Sequence, residues 1–257
     1  MANEKRVTHN LSDFTKIDMR GAGEIQLIQG QDFSVAILAE EALHDIITTE
    51  IVDDTLVIAF EDSHNLIKLK SKIVYEITMP LIAGVRIAGA GSLTCERIGA
   101  KTFTLDLPGG SSVDIGTIAV VDYILKIQGG AKIQTQNIQA SQVGIDAPGS
   151  VTMTIDNVDA DHLDMKIKGT ANINLAGRVV SQSYALYGVG NIKADDLQSK
   201  NASVRSAGLA NITLSVQDTL DVRLSGAGQV RYYGNPAVER KISGFGRIKQ
   251  LGEAKPV

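Results

Sequence analysis

The sequence predicts an all-β chain folded as a right-handed parallel β-helix, a solenoid with an N-terminal β-strand cap region. One phrase, apolar–polar–Gly–x–Gly–polar–apolar, recurs in variant forms at intervals of about 18–22 residues. Such a period is typical of solenoids. Between the phrases apolar and polar residues alternate, which indicates strands with one buried face. Aromatic residues make up only 4% of the chain and Trp is absent, so we expect an aliphatic core of thin layers.

Residues 1–80 form the predicted cap region, continuous with the solenoid. The stretches FSVAILA, HDIITTEIVDDTLVIAF and KIVYEITMP predict strands, with Asp53 and Asp54 at a hairpin tip, and EEALHD predicts a short helical turn. A looser copy of the repeat, MRGAGEI, lies at residues 19–25. Because an end repeat must shield the core from water, we expect this region to close the open end.

Residues 81–250 form the predicted β-helix, and residues 251–257 form a tail. The interval is too short for a strand and a helix that return to the same sheet edge, which needs roughly 30 residues. In the copy SAGLANI the first position is Ser206, and an alignment that starts at Val204 is the alternative register. The copies are IAGAGSL, LPGGSSV, IQGGAKI, IDAPGSV, IKGTANI, LYGVGNI, SAGLANI, LSGAGQV and ISGFGRI.

The glycines of the phrase are interpreted as structural turn residues. A corner of a coil requires either a positive φ or a backbone without space for a Cβ, and Gly meets both conditions. A dinucleotide or phosphate loop is excluded because an alternating strand, and not a helix, follows each copy. The predicted turn glycines are Gly89, Gly91, Gly109, Gly129, Gly149, Gly169, Gly188, Gly190, Gly208, Gly226, Gly228, Gly244 and Gly246.

Composition excludes several function classes. A formal net charge of −4 and a pI near 5.6 argue against a nucleic-acid partner, which needs a basic patch. No apolar run reaches the roughly 18 residues of a transmembrane helix. Cys95 stands alone, so it forms no intrachain disulfide, and we expect it to be a buried hydrophobe. The four histidines lack metal-ligand spacing, and we expect neither a metal nor another cofactor.

One acidic cluster, in the segment IDNVDADHLD, is the candidate ligand or cation site, with His162 beside it. Carboxylates placed around a glycosidic bond catalyse its cleavage, so a carbohydrate-active β-helix enzyme is the alternative function. The other interpretation is a solvated corner with outward strand positions. The carboxylates are Asp156, Asp159, Asp161 and Asp164.

Outward polar residues beside the turns predict two columns. Stacked polar side chains can form a ladder that stiffens the solenoid, or they can present a flat polar face to a polysaccharide or protein. One predicted column is Gln128, Lys168, Tyr187, Ser225 and Ser243. The other is Ser92, Lys132, Asn172, Asn191, Asn211, Gln229 and Arg247.

Three features of the sequence carry a family resemblance: the repeated phrase in LSGAGQV, IAGAGSL and ISGFGRI, the segment RYYGNPAVERKISGFGRIKQL, and the N-terminal HDIITTEIVDDTLVIAF. Together they resemble the GIN-domain family of bacterial autotransporter adhesin heads. The match covers most of the chain. The resemblance implies a right-handed β-helix, an exported location and no catalytic residues. No signal peptide is visible in this sequence, and we expect export to the periplasm or cell surface.

The sequence therefore predicts a non-catalytic bacterial surface or periplasmic module with a glycan or surface protein as partner. The strand edges at the C-terminal end also make a homo-oligomer plausible. Tyr232, Tyr233 and Phe245, late in a chain that is poor in aromatic residues, are the candidate interface; the alternative is that they cap the C-terminal core.

Overall fold

A computed structural model describes residues 4–61 and 72–253 and shows a β-solenoid of about eight turns. The β-solenoid prediction is confirmed. The N-terminal elements are β1 Glu4–His9, β2 Lys16–Arg20, β3 Ala22–Gln29, β4 Ser34–Glu40, α1 Glu41–His44, β5 Ile47–Val52, β6 Thr55–Phe60 and β7 Val74–Met79. The strands of the regular coils are β8 Gly84–Ile87, β9 Ala90–Gly99, β10 Thr102–Leu107, β11 Gly110–Ala119, β12 Asp122–Ile127, β13 Gly130–Ala147, β14 Ser150–Ile167, β15 Thr170–Leu186, β16 Val189–Ser206, β17 Leu209–Leu224, β18 Gln229–Tyr233, β19 Ala237–Ile242 and β20 Arg247–Gly252.

Each coil contributes one strand segment to each of two stacks of parallel strands. The first stack runs through β2, β8, β10, β12, the second halves of β13 to β17, and β19. The second stack runs through β3, β9, β11, the first halves of β13 to β17, β18 and β20. The long strands bend through the corner between the stacks, and register shifts lie at that corner in β14 to β16.

Antiparallel strands cover the N-terminal end of both stacks. In the first stack β6 pairs with β2 in parallel, and β5 pairs with β6 antiparallel. In the second stack β7 pairs with β3 in parallel, β4 pairs with β7 antiparallel, and β1 pairs with β4 antiparallel. The regular coils end here, because the pairing of neighbouring strands changes from parallel to antiparallel.

The turn glycines stack on each other, and their close approach is the reason for Gly. A Cβ built on Gly109 would overlap the carbonyl oxygen of Gly89, and the same holds for Gly129 over Gly109 and for each coil onward to Gly226 over Gly208. Gly244, which has φ +132°, is the one predicted turn glycine with a positive φ. The lack of space for a Cβ therefore explains these glycines better than a requirement for positive φ does.

Alternating side chains fill the interior between the two stacks. The rings of Phe103 and Tyr123, in neighbouring coils, stack with centroids 5.8 Å apart. Ser206 pairs with Leu186 and with Leu224, and is buried, so the repeat register begins at Ser206 and not at Val204. At the C-terminal end every residue of β19 is exposed.

Candidate binding surface

A column of polar side chains runs along the outer surface of the second stack. Parallel register places Asn172, Asn191 and Asn211 on successive coils, with Gln229 and Arg247 next. Asn211 Nδ2 donates a hydrogen bond to Asn191 Oδ1 over 3.2 Å. The predicted alignment is confirmed, and we call this set the polar column. Its members are Ser92, Ser112, Lys132, Thr152, Asn172, Asn191, Asn211, Gln229 and Arg247.

The other predicted column lies on the turn edge, where the chain passes from the first stack to the second. Its residues directly precede the stacked glycines. Backbone hydrogen bonds fix them from coil to coil: Gln128 N donates to Leu107 O over 3.0 Å and Tyr187 N donates to Ile167 O over 2.8 Å. Tyr187 is 53% exposed. The column members are Gln128, Lys168, Tyr187, Ser225 and Ser243.

A column of alternating charge on the first stack was missed at the sequence level. It begins with ion pairs of Arg86 to Asp18, 3.0 Å, and to Asp106, 3.2 Å. Five of the six members directly precede the first residue of a repeat phrase, which is the signal that could have revealed the column. The sixth, Asp146, is the second residue of IDAPGSV, but it pairs with Lys126 and Lys166, so this phrase begins at Ala147 and its predicted start at Ile145 is wrong. The alternating column is Asp18, Arg86, Asp106, Lys126, Asp146 and Lys166.

The four carboxylates of the acidic cluster are exposed and face different surroundings. Asp156 accepts hydrogen bonds from Gln134 Nε2 at 3.1 and 3.3 Å. Asp159 lies 3.8 Å from Arg178 Nη2. Asp164 stands on the first stack, paired in register with Ser183. Within residues 4–61 and 72–253, no group of three or more His, Cys, Asp or Glu side chains has a geometry that could hold a metal ion.

A shallow groove of about 490 Å³ lies at the corner between the stacks. Asp159 and Asp161 contribute its acidic side, Arg178 and Lys200 its basic side, and Val180 is one of its apolar residues. Two members of the acidic cluster therefore share a groove with cations. This arrangement suits a polar ligand that carries both charges, or one rich in hydroxyl groups.

A buried polar network inside the C-terminal coils was also missed. Gln182 occupies an inward position that Leu163 fills in the preceding coil. Its Nε2 donates to Ser199 Oγ over 2.8 Å and to Ser215 O over 3.1 Å, and its Oε1 accepts from Tyr184 Oη over 2.6 Å. A polar residue at an inward position of the alternating pattern is the sequence signal. These contacts make the network a structural element of the core.

The remaining side chains that could take part in acid–base or metal chemistry are Cys95 and the histidines. Cys95 is buried, its Sγ–H donates to Arg97 O over 3.3 Å, and burial raises its pKa to about 11. The prediction of a buried cysteine is confirmed. Burial, together with the charge of His44, lowers the pKa of His9. His162 Nδ1 lies 2.6 Å from Ser181 Oγ, and His64 lies outside the described residues.

The aromatic residues proposed as an interface have different environments. Tyr232 pairs in register with the inward Leu214 and packs partly buried against the core. Tyr233 is half-buried, whereas Phe245 is 90% exposed on the turn edge. Among these three residues, Phe245 offers the open apolar surface.

Comparison with known proteins places this geometry in a family. The family model described as "Putative auto-transporter adhesin, head GIN domain" matches residues 13–137 and 123–236. No curated protein matches the chain. None of the helices in the part of the chain that the structure describes is long and apolar enough to cross a bilayer.

Solved structures share the fold over nearly the whole chain. A "putative adhesin" from Parabacteroides merdae has a TM-score of 0.68 at 19% identity, covering 97% of this chain and 95% of its own. A "putative lipid binding protein" from Parabacteroides distasonis has a TM-score of 0.66 at 19% identity and covers 97% of both chains. A "putative adhesin" from Bacteroides fragilis has a TM-score of 0.52 at 20% identity and covers 98% of both chains.

Proposed function

The chain belongs to this GIN-domain family, and we propose that it is a non-catalytic, adhesin-like binding module exported to the bacterial surface or periplasm. Its binding surface is the rigid polar face built on the polar column. The register of that column carries the proposal: side chains on successive coils stand at the strand spacing of about 4.8 Å. A ligand with repeating polar groups, such as a glycan chain, fits a surface with a regular period.

The side-chain chemistry of the polar column supports a glycan. Amide groups of Asn and Gln each donate and accept hydrogen bonds, which matches the hydroxyl groups of a sugar. The backbone that carries Asn172, Asn191 and Asn211 is held on both sides by neighbouring coils. A preorganised surface loses little conformational entropy when it binds.

The acidic cluster favours binding over hydrolysis. A general acid in a glycosidase keeps its proton because its surroundings raise its pKa, commonly through burial. Asp156, Asp159, Asp161 and Asp164 are all exposed. Asp156 and Asp159 already interact with Gln134 and Arg178.

A glycan array with two matched variants tests the proposal. We expect the purified chain to bind glycans, the variant Asn172→Ala/Asn191→Ala/Asn211→Ala to lose that binding, and Asp156→Ala/Asp159→Ala to retain it. Loss of binding in the aspartate variant alone, or cleavage of a glycan by the wild type, would support the carbohydrate-active enzyme instead. No binding to any glycan would contradict the glycan ligand and favour a protein partner.

A further inference from the structure

The position that follows the stacked turn glycine changes from small or polar to apolar along the solenoid. Val189 and Leu209 pair in register on neighbouring coils and are 53% and 55% exposed. Phe245 holds the same position two coils later and is 90% exposed, with Ala227 between. The earlier coils carry Ala22, Ala90, Gly110, Gly130, Ser150 and Thr170 there. Among the described residues at this position, large apolar side chains therefore project from the edge only in the C-terminal coils.

The alternating column lies beside this edge, and its charge pattern changes at the same coil. It alternates in sign as far as Lys166, passes through Ala185, and then carries only cations: Arg205, Arg223 and Lys241. Arg223 is paired with Asp221 at 3.2 Å. Within the described ranges, Arg205 and Lys241 form no ion pair.

Cations also flank the edge on the second stack, where Asp195 lies two residues beyond Lys193 on β16. Lys193, Arg247 and Lys249 are exposed there. Asp221 and Glu239 lie on the strands of Arg223 and Lys241, two residues earlier in each case. We call the apolar and cationic set the C-terminal turn edge: Tyr187, Val189, Leu209 and Phe245 with Lys193, Arg205, Arg223, Lys241, Arg247 and Lys249.

We propose that the C-terminal turn edge docks on a lipid bilayer that contains anionic lipids. Exposed apolar side chains gain free energy by entering the boundary between headgroups and acyl chains, and flanking Lys and Arg gain by meeting anionic headgroups. A soluble polyanion would contact the cations and leave the apolar side chains in water. Two copies of the chain, joined through identical cationic edges, would repel each other. Anionic lipid is the occupant that matches both features.

Co-sedimentation of the full chain with vesicles tests the proposal. We expect binding to phosphatidylcholine vesicles that contain about one third phosphatidylglycerol, and weak binding to phosphatidylcholine alone. Leu209→Ser/Phe245→Ser should lower the partition coefficient about tenfold or more, since each removes an inserted apolar side chain. Arg205→Gln/Lys241→Gln should lower it about tenfold on anionic vesicles only. Ile28→Ser/Val121→Ser, at 61% and 46% exposure on other coils, is the matched control and should bind like the wild type.

Three outcomes would overturn the proposal. They are equal binding to neutral vesicles, an equal loss in the control pair, and no binding to any vesicle. If the wild type does not bind vesicles but forms a dimer in sedimentation velocity, and Leu209→Ser/Phe245→Ser dissociates that dimer, the occupant of this edge is a second copy of the chain. The substituted side chains are exposed, so thermal unfolding should show folded variants throughout.

Discussion

Gly129 lies directly over Gly109 in the stack of turns, so closely that a Cβ on Gly129 would overlap the Gly109 carbonyl oxygen. Gly130, the next residue, has open space where its Cβ would be. We expect Gly129→Ala to lower the free energy of unfolding by about 1–3 kcal/mol because the backbone of two coils must move apart. Gly130→Ala should change it by less than about 0.5 kcal/mol. Urea unfolding of both variants measures the contrast, and equal effects would contradict the stacking.

The repeat could be predicted because the stacking constrains side-chain size at a fixed position of every coil. A backbone carbonyl above each turn excludes a Cβ, and this exclusion leaves Gly as a visible mark in the sequence. The antiparallel pairing of β1 with β4 and of β4 with β7 could not be predicted in this way. Both edges of β3 are occupied, by β7 and β9, so β4 pairs with the remaining edge of β7. The residue pattern carries no signal for the direction of that pairing.

The hydrogen bond from Tyr184 Oη to Gln182 Oε1 closes the buried polar network. Tyr184→Phe removes this donor and leaves a buried amide oxygen without it, so we expect a loss of about 1–3 kcal/mol in the free energy of unfolding. Tyr187→Phe, on the exposed turn edge, is the control and should have little effect. Equal stability of the two variants would mean that the hydrogen bond between Tyr184 and Gln182 does not contribute to the free energy of unfolding.

The alternation of inward and outward side chains makes thiol reactivity depend on a single residue step. Cys95 is buried with a raised pKa of about 11, whereas Thr94 is exposed. We expect native Cys95 to react with iodoacetamide at pH 8 only after unfolding. Thr94→Cys/Cys95→Ala should react in the native state at the rate of a free thiol. Fast labelling of native Cys95 would contradict the strand register of β9.

His9 links the N-terminal cap to pH. Burial lowers its pKa in the folded chain, and its Nδ1 lies 3.0 Å from Thr49 Oγ1. Its buried Nε2 has no hydrogen-bond partner among the residues that the structure describes. A depressed histidine pKa means that the unfolded chain binds more protons below pH 6.5, so this stability is present above pH 6.5 and is lost as the pH falls through the folded pKa. We expect the wild type to weaken between about pH 7 and pH 5.

The variant His9→Gln isolates this histidine, because Gln removes the titration and retains hydrogen-bonding capacity. Its free energy of unfolding should change less than that of the wild type over the same pH range. Hydrogen exchange of the β1 amides at pH 7 and pH 5 locates the change. Identical pH profiles for the two proteins would show that His9 is not the group responsible.

Side-chain columns were partly predictable for a related reason. The amides beside the turns align with the repeat phrase, so their stacking follows from the sequence register. The cationic run through Arg205, Arg223 and Lys241 depends on the same register, but it becomes significant only beside the exposed Leu209 and Phe245. The exposure of these two side chains depends on the conformation of the turn between the stacks, and only the structure gives that information.

Insertion of Phe245 into an anionic bilayer is the most direct test of the proposed lipid contact. The chain contains no Trp, so Phe245→Trp supplies a single fluorescent reporter at the exposed turn edge, and Val121→Trp supplies one on a distant coil. On addition of vesicles with phosphatidylglycerol, the emission of Phe245→Trp should shift to shorter wavelength and be quenched by brominated lipid, while Val121→Trp should not change. The same response in both variants, or no shift in Phe245→Trp, would contradict docking through this edge.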